Sequence, residues 1–298
     1  MLDFNSFNSF NSLNHSLTAS AVQMRESLRA DCGSCFGLCC TALHIVSSSD
    51  FAMDKAPGVP CHHLQTNYRC GIHGSLREKG FKGCTVFDCM GAGQWVSQVT
   101  FKGRDWRENA ADAETMFRVF PVVEQLHEMI AYAAEALSYK ISGALQDRLL
   151  AQLEELIELT KLAANSLLVL DIMAYRKPLN ILLVETSEFI RQRLIEDNPN
   201  RVNSAKLTYR GVDWAGKKLK GKDLRAYDLR GALLIAADLQ NADLRGADLI
   251  GADMRDAQLS GADLSTAMFL TQMQVNSAKG NSATRLPVFL QRPSHWGH

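Results

Sequence analysis

Between residues 212 and 271 a bulky residue recurs at every fifth position, and few folds satisfy that spacing. The series is Trp214, Leu219, Leu224, Leu229, Leu234, Leu239, Leu244, Leu249, Met254, Leu259, Leu264 and Phe269. Alanine stands two residues before most of them: Ala232, Ala237, Ala242, Ala247, Ala252, Ala257, Ala262 and Ala267. Aspartate usually stands one residue before: Asp223, Asp228, Asp238, Asp243, Asp248, Asp253 and Asp263. A helix repeats its apolar face near 3.6 residues and a half-buried strand repeats every second residue, so neither produces this period.

The tandem A(D/N)LXX pattern resembles the pentapeptide-repeat family. That resemblance implies a right-handed quadrilateral β-helix with four pentapeptides per coil. The bulky residue and the small alanine would then point inward, and the other three positions would face water. Stacked coils bury a continuous column, as in other solenoids. Twelve repeats make three coils, about 15 Å of stack at strand spacing. The beginning is irregular, because Lys217, Lys222 and Tyr227 replace the inner alanine. Beyond the repeat, Thr271 is placed to N-cap a short helix ending before Gly280, and the closing segment with Trp296 is suited to cover a coil end.

Charge bears on what such a coil could do. The family includes antibiotic-resistance proteins that protect DNA gyrase by resembling DNA, which requires a long acidic rod. Here residues 212–271 carry nine aspartates against eight lysines and arginines, and the whole chain has a formal net charge of zero. DNA mimicry is therefore disfavoured, as is a chain-wide basic nucleic-acid binder. A resistance role by another route stays open, because the family link is one of association.

Residues 108–198 are rich in Ala, Leu, Glu and Gln, with apolar residues three and four apart. They read as four or five amphipathic helices forming a small bundle, with Pro121 and Pro178 in first turns and Gly143 at a break. His127 reads as an ordinary helical histidine. Ahead of the helices, the Asn/Ser/Phe-rich residues 1–20 read as a disordered arm.

All eight cysteines lie between residues 32 and 89: Cys32, Cys35, Cys39, Cys40, Cys61, Cys70, Cys84 and Cys89. The opening residues have neither the basic segment nor the apolar run of a secretory signal, and no stretch approaches the length of a membrane span. A soluble, cytoplasmic, reducing setting is expected, where clustered thiols hold metal more often than disulfides. Soft thiolates suit zinc, iron–sulfur clusters or copper(I), and ligands two to four residues apart can meet at one ion. Cys32, Cys35, Cys39 and Cys40 could serve one centre and Cys61, Cys70, Cys84 and Cys89 another, or the two sets could interleave. Adjacent Cys39 and Cys40 are awkward at one ion and more natural at two metals. His62, His63 and His73 stand beside cysteines and could replace a thiolate. The run Gly91-Ala92-Gly93-Gln94-Trp95 reads as a turn leaving this module.

CGSCFGLCC, PCHHLQTNYRCGIH and GCTVFDC together resemble the zinc- or iron-chelating cysteine-cluster family of bacterial proteins across roughly residues 31–90. That resemblance implies zinc or iron, iron–sulfur included. It departs in having LREKGFKGC where the family has Arg-Pro before the third block.

The expected class is a multidomain α+β protein. Its parts are a disordered arm (1–20), a loop-rich metal-bound module (21–105), a helical bundle (108–200), the repeat β-helix (207–271) and a cap (272–298). The expected function is a metal-binding interaction or protection module. The alternatives are a metal-dependent enzyme and a redox or metal sensor. The partner, protein or small molecule, is unassigned, and a homodimer through the bundle is open. No phosphate loop, dinucleotide fingerprint, HExxH or GxSxG motif points to other chemistry.

Overall fold

The computed structural model describes residues 14–197 and 207–297. They divide into two compact units, residues 1–182 and 183–298.

In the first unit the long helix α5 (Ala110–Ser138) is the centre. Its buried residues Met116, Val119, Phe120, Val123, Leu126 and Ile130 follow helical spacing. Burial of each such side chain contributes roughly 1.5–3 kcal/mol. Against α5 pack α1 (Asn14–Ser27), through residues such as Ala21 and Met24, and α6 (Gly143–Thr160), through Leu145, Leu149, Leu153 and Leu156. The short α7 (Ala164–Leu167) also meets α5, and α8 (Ile172–Glu196) follows. Helical packing thus reaches into the segment expected to be disordered. Residues 1–13 of that arm lie outside the described residues, but from Asn14 the chain is helical because α1 has α5 to cover its apolar face.

Both prolines depart from the expected positions. Pro121 and Pro178 lie inside α5 and α8 rather than in first turns. Around Pro121, Val119, Phe120 and Val123 are fully buried, and this tertiary burial carries the helix through the missing N–H.

The cysteine-rich segment is mostly loop. It contains α2 (Leu38–Ala42), a 3₁₀ turn at His73–Ser75, α3 (Lys82–Val86) and α4 (Ala92–Trp95), which runs into a π-helical turn, Val96–Thr100. Two isolated antiparallel bridges, Ile45 with Lys55 and Leu64 with Cys70, pin its loops.

The repeat region requires the largest correction. The described residues contain no strand and no sheet, so neither the α+β class nor the β-helix holds; the regular elements are helices. What joins one coil to the next is a series of isolated parallel bridges twenty residues apart, such as Asp213 with Leu233 and Asp223 with Asp243. The N–H of Leu224 donates to the Asp243 carbonyl at 2.8 Å, and the N–H of Asp243 donates to the Lys222 carbonyl at 3.0 Å. Each five-residue side then turns before a second bridge can form, so pairing never extends into a strand.

The turns explain the sequence pattern. The Ala232 N–H donates to the Leu229 carbonyl at 3.0 Å, closing a four-residue turn whose third residue, Gly231, has φ of 64°. That position takes positive φ at every turn from Gly211 to Gly261, filled by glycine except at Ala226, Ala236, Asn241 and Asp256. The aspartate before each bulky residue accepts from the backbone N–H two residues on, as Asp243 does from Arg245 at 3.2 Å. The inward bulky residues from Trp214 to Leu264 and the alanines are buried in one column, whose end holds Leu270 rather than the expected Phe269, which takes a φ of 59°. Thr271 N-caps α9 (Gln272–Ser277) in a capping box with Gln274, and Trp296 packs with the column.

The other three positions do not all face water. Asp228 and Asp248 are 0% exposed. The end of α8 and nearby arginines of the coil supply the cover: Arg191 of α8 and Arg210 pair with Asp228, Arg210 reaches Glu188 of α8 at 3.1 Å, and Arg230 pairs with Asp248 at 2.9 Å. On the next side arginines interleave with stacked aspartates. Arg225 bonds Asp223 at 2.9 Å and Asp243 at 3.3 Å, and Arg245 bonds Asp243 at 2.7 Å.

Candidate metal centre

Local backbone features bring the eight thiols into one neighbourhood. Asp31 closes the turn before Cys32 by accepting from the Gly33 N–H at 2.8 Å and the Ser34 hydroxyl at 2.7 Å. Gly37, in left-handed conformation, opens α2, which carries Cys39 and Cys40 with their sulfurs 3.9 Å apart. The Cys61 N–H donates to the Cys40 carbonyl at 2.9 Å, tying the second cysteine block to the first. Cys70 is held by its bridge to Leu64, Cys84 sits on α3, and Cys89 accepts through its carbonyl from the Ala92 N–H at the start of α4. All eight are free thiols.

Burial and neighbouring thiols act on them unequally. Burial pushes the Cys84 thiol up to about 12, with Cys40, Cys61 and Cys70 adding to the rise. Burial likewise pushes Cys89 up to about 12, helped by Asp88 and Cys35. Cys39 is raised by its hydrogen bond with Cys40 and by burial, then by Cys35 and Cys89. Cys40 is lowered by the Cys39 hydrogen bond and by Lys55. In the structure the sulfurs of Cys39 and Cys40 are 3.9 Å apart, and those of Cys35 and Cys89 both stand beside Gly93. Cys32 is raised by burial and by Cys40, and it also acts on Cys35 and Cys70. Cys39 and Cys40 act most strongly on each other, and influence among the other thiols crosses between the sequence blocks.

The donor set fits a soft cation by chemistry: clustered thiols whose ionisation burial opposes, and which a metal would favour. Among the described residues, no three His, Cys, Asp or Glu side chains converge closely enough to enclose an ion. His62 and His73 are exposed. His63 packs edge-on against Phe81 with ring centroids 5.2 Å apart.

Sequence reasoning passed over two residues here. Lys55 is buried, and its Nζ donates to the carbonyls of Thr41 at 3.0 Å, Ala56 at 3.1 Å and Leu43. Three acceptors fit an ammonium with three protons. Burial lowers its pKa, while Cys61, Cys40 and Cys39 pull it back up. A lysine inside a polar loop carries no sequence signal. The second is Gly93. A Cβ there would stand 2.7 Å from the Cys35 sulfur and 3.7 Å from that of Cys89. The run at 91–95 is thus more than an exit turn: it forms α4, packed on thiols from two blocks. The Gly91–Gly93 spacing was the available signal.

Behind α4, Trp95 donates to the Thr160 carbonyl at 3.0 Å and lies edge-on to His127. His127 is buried, its Nδ1 is 2.7 Å from the Met90 carbonyl, and burial lowers its pKa to about 4. The ring is therefore neutral, with Nδ1 the protonated nitrogen.

The coil's turn chemistry and inward column define a repeat protein, and the family model described as Pentapeptide repeats matches residues 228–265 in eight copies. The chain is 56% identical over 270 residues to "Uncharacterized protein YybG" of Bacillus subtilis (strain 168), covering 90% of this chain and 95% of that protein. It belongs to the same family, that of the pentapeptide-repeat proteins. Among solved structures it is similar to a pentapeptide repeat protein from the Arabidopsis thaliana thylakoid lumen. That similarity has 32% identity and a TM-score of 0.16, and spans 25% of this chain and 50% of that one. No helix among the described residues is long and apolar enough to cross a membrane.

Proposed function

We propose that residues 31–90 form a thiolate metal module, joined to a repeat coil that presents a rigid surface to a partner. The observation that carries the reading is the set of eight free thiols confined to residues 32–89, three of which, Cys61, Cys40 and Cys39, act on the buried ammonium of Lys55. Cys40, Cys61, Cys70 and Cys84 would hold one centre. Cys35, Cys39 and Cys89 would hold the other, with Cys32 completing it. Zinc bound there would contribute folding free energy of about 10–16 kcal/mol to a segment that is mostly loop, and iron or an iron–sulfur cluster would add electron transfer. Lys55 would offset the negative charge of a site with more thiolates than the metal has positive charges.

A reducing cytoplasm is the setting this chemistry requires. Protection by acidic mimicry of DNA is disfavoured, because arginines of adjacent coils hold the aspartates such a mimic would display. A sensor reading has one supporting feature, the Cys39–Cys40 contact, where loss of metal would leave two thiols adjacent.

The test is elemental analysis with a UV–visible spectrum on anaerobically purified protein. Bound zinc without visible absorption supports a structural site, and bound iron with visible absorption supports redox chemistry. Metal-free protein whose eight thiols titrate independently overturns the module.

A further inference from the structure

The coil's near-neutral balance hides a segregation of charge. Residues 212–226 carry Lys217, Lys218, Lys220, Lys222 and Arg225 against Asp213 and Asp223, whereas residues 227–271 carry three arginines against seven aspartates. The two kinds of cation behave differently. Arg225, Arg230, Arg245 and Arg255 each pair with an aspartate of their own or a neighbouring coil. The four lysines are all exposed, and none forms an ion pair among the described residues. Lys217 and Lys222 occupy the inner column that alanine fills in later coils, and they escape burial because the column starts there. Lys217 lies over the Trp214 ring at 4.7 Å.

We infer that this first coil is a docking surface for the phosphate backbone of double-stranded nucleic acid, read without regard to sequence. Four unneutralised ammonium groups within six residues, on two adjoining sides of one coil, suit a polyanion with closely and regularly spaced charges. Lysine offers a point charge rather than the planar fork with which arginine already holds the carboxylates here. The side chains between the lysines decide against other polyanions. Trp214, Leu219 and Leu224 are buried, so no ring is free to stack on unpaired bases and no apolar group is free to enter a bilayer. The zero net charge of the chain excludes a globally basic binder, but it does not constrain a single coil. This inference rests on the coil alone and stands or falls separately from the metal module.

The test is fluorescence anisotropy of the full chain with a labelled duplex of about 20 base pairs, in two unrelated sequences, from about 20 to 200 mM salt. Four phosphate contacts predict a log–log slope near −3.6, a loss of about 100-fold in affinity between 50 and 200 mM salt, equal for both sequences. Replacing all four lysines by glutamine should abolish the slope while leaving thermal unfolding unchanged, and K220Q alone should reduce it by about 0.9. Arg255→Gln, at a paired position, should leave it unchanged. No binding at the lowest salt, an unaltered slope in the quadruple variant, or tighter binding to phosphatidylserine vesicles than to the duplex overturns the inference.

Discussion

The cysteine-rich segment and the repeat coil both lack strands, yet their order comes from opposite sources. In the coil most turns repeat one arrangement: a bulky residue and an alanine inward, an aspartate bonded to the backbone two residues on, and positive φ at the corner. Each coil is held by its neighbours, so the information is local and periodic. In the cysteine segment nothing repeats. Its loops are fixed by single contacts across long sequence distances, such as Lys55 to the Thr41 carbonyl and Cys61 to Cys40. Periodic order spreads the cost of a defect over many equivalent contacts, whereas singular order concentrates it in a few residues.

The largest effect should come from breaking the column. Leu244 is fully buried, and Leu244→Asp should cost more than about 4 kcal/mol and remove the coil's cooperative unfolding, read by circular dichroism. Unchanged stability would overturn the inward assignment. Next is the coil's ionic cover. Asp228→Ala leaves Arg191 nearly buried without its partner and should cost about 3–5 kcal/mol in denaturant unfolding. A cost below about 1 kcal/mol would mean that this pair is solvent-screened.

In the first unit the sharpest probe is pH. His127 titrates near 4 when folded and near 6.5 when unfolded, so the unfolded state binds more protons between those values. Stability should therefore fall as pH drops from about 6.5 to 4, by about 3 kcal/mol for this group. His127→Gln should flatten that part of the profile, and an unaltered slope would show that other groups carry it. Smaller still is Gly93→Ala, which crowds the Cys35 sulfur and should cost about 1–3 kcal/mol. If the metal reading holds, it should also lower the metal-to-protein ratio. The smallest effect, and of opposite sign, is Ala236→Gly. Its φ of 53° is left-handed, so glycine should stabilise the coil by up to about 1 kcal/mol in thermal melts.

Legibility in the sequence followed the same division. The period was readable from spacing alone, and the inward column followed from the family resemblance that the period carries. The role of aspartate was misread as display on a solvated face. It is a turn device, and Asp228 and Asp248 are buried beneath arginines. Glycine in phase at the corner position, from Gly211 to Gly261, carried that message. The expected β-helix failed because a side of five residues turns before pairing can lengthen into a strand. For the candidate centre, the thiols were countable but their grouping was not. Nothing in the order of the cysteines says that Gly93 stands beside both Cys35 and Cys89, or that the ammonium of Lys55 is influenced by Cys61, Cys40 and Cys39.

By itself, then, the sequence determined a period, the residues that recur in it and a confined set of thiols, because each depends on residue type at fixed local spacing. Tertiary structure decided that Cys61 is tied to Cys40 and that Gly93 stands beside Cys35 and Cys89, which aspartates are covered, and that four exposed lysines without an ion pair among the described residues gather in the first coil. Those depend on contacts between residues far apart in the chain, where spacing carries no information.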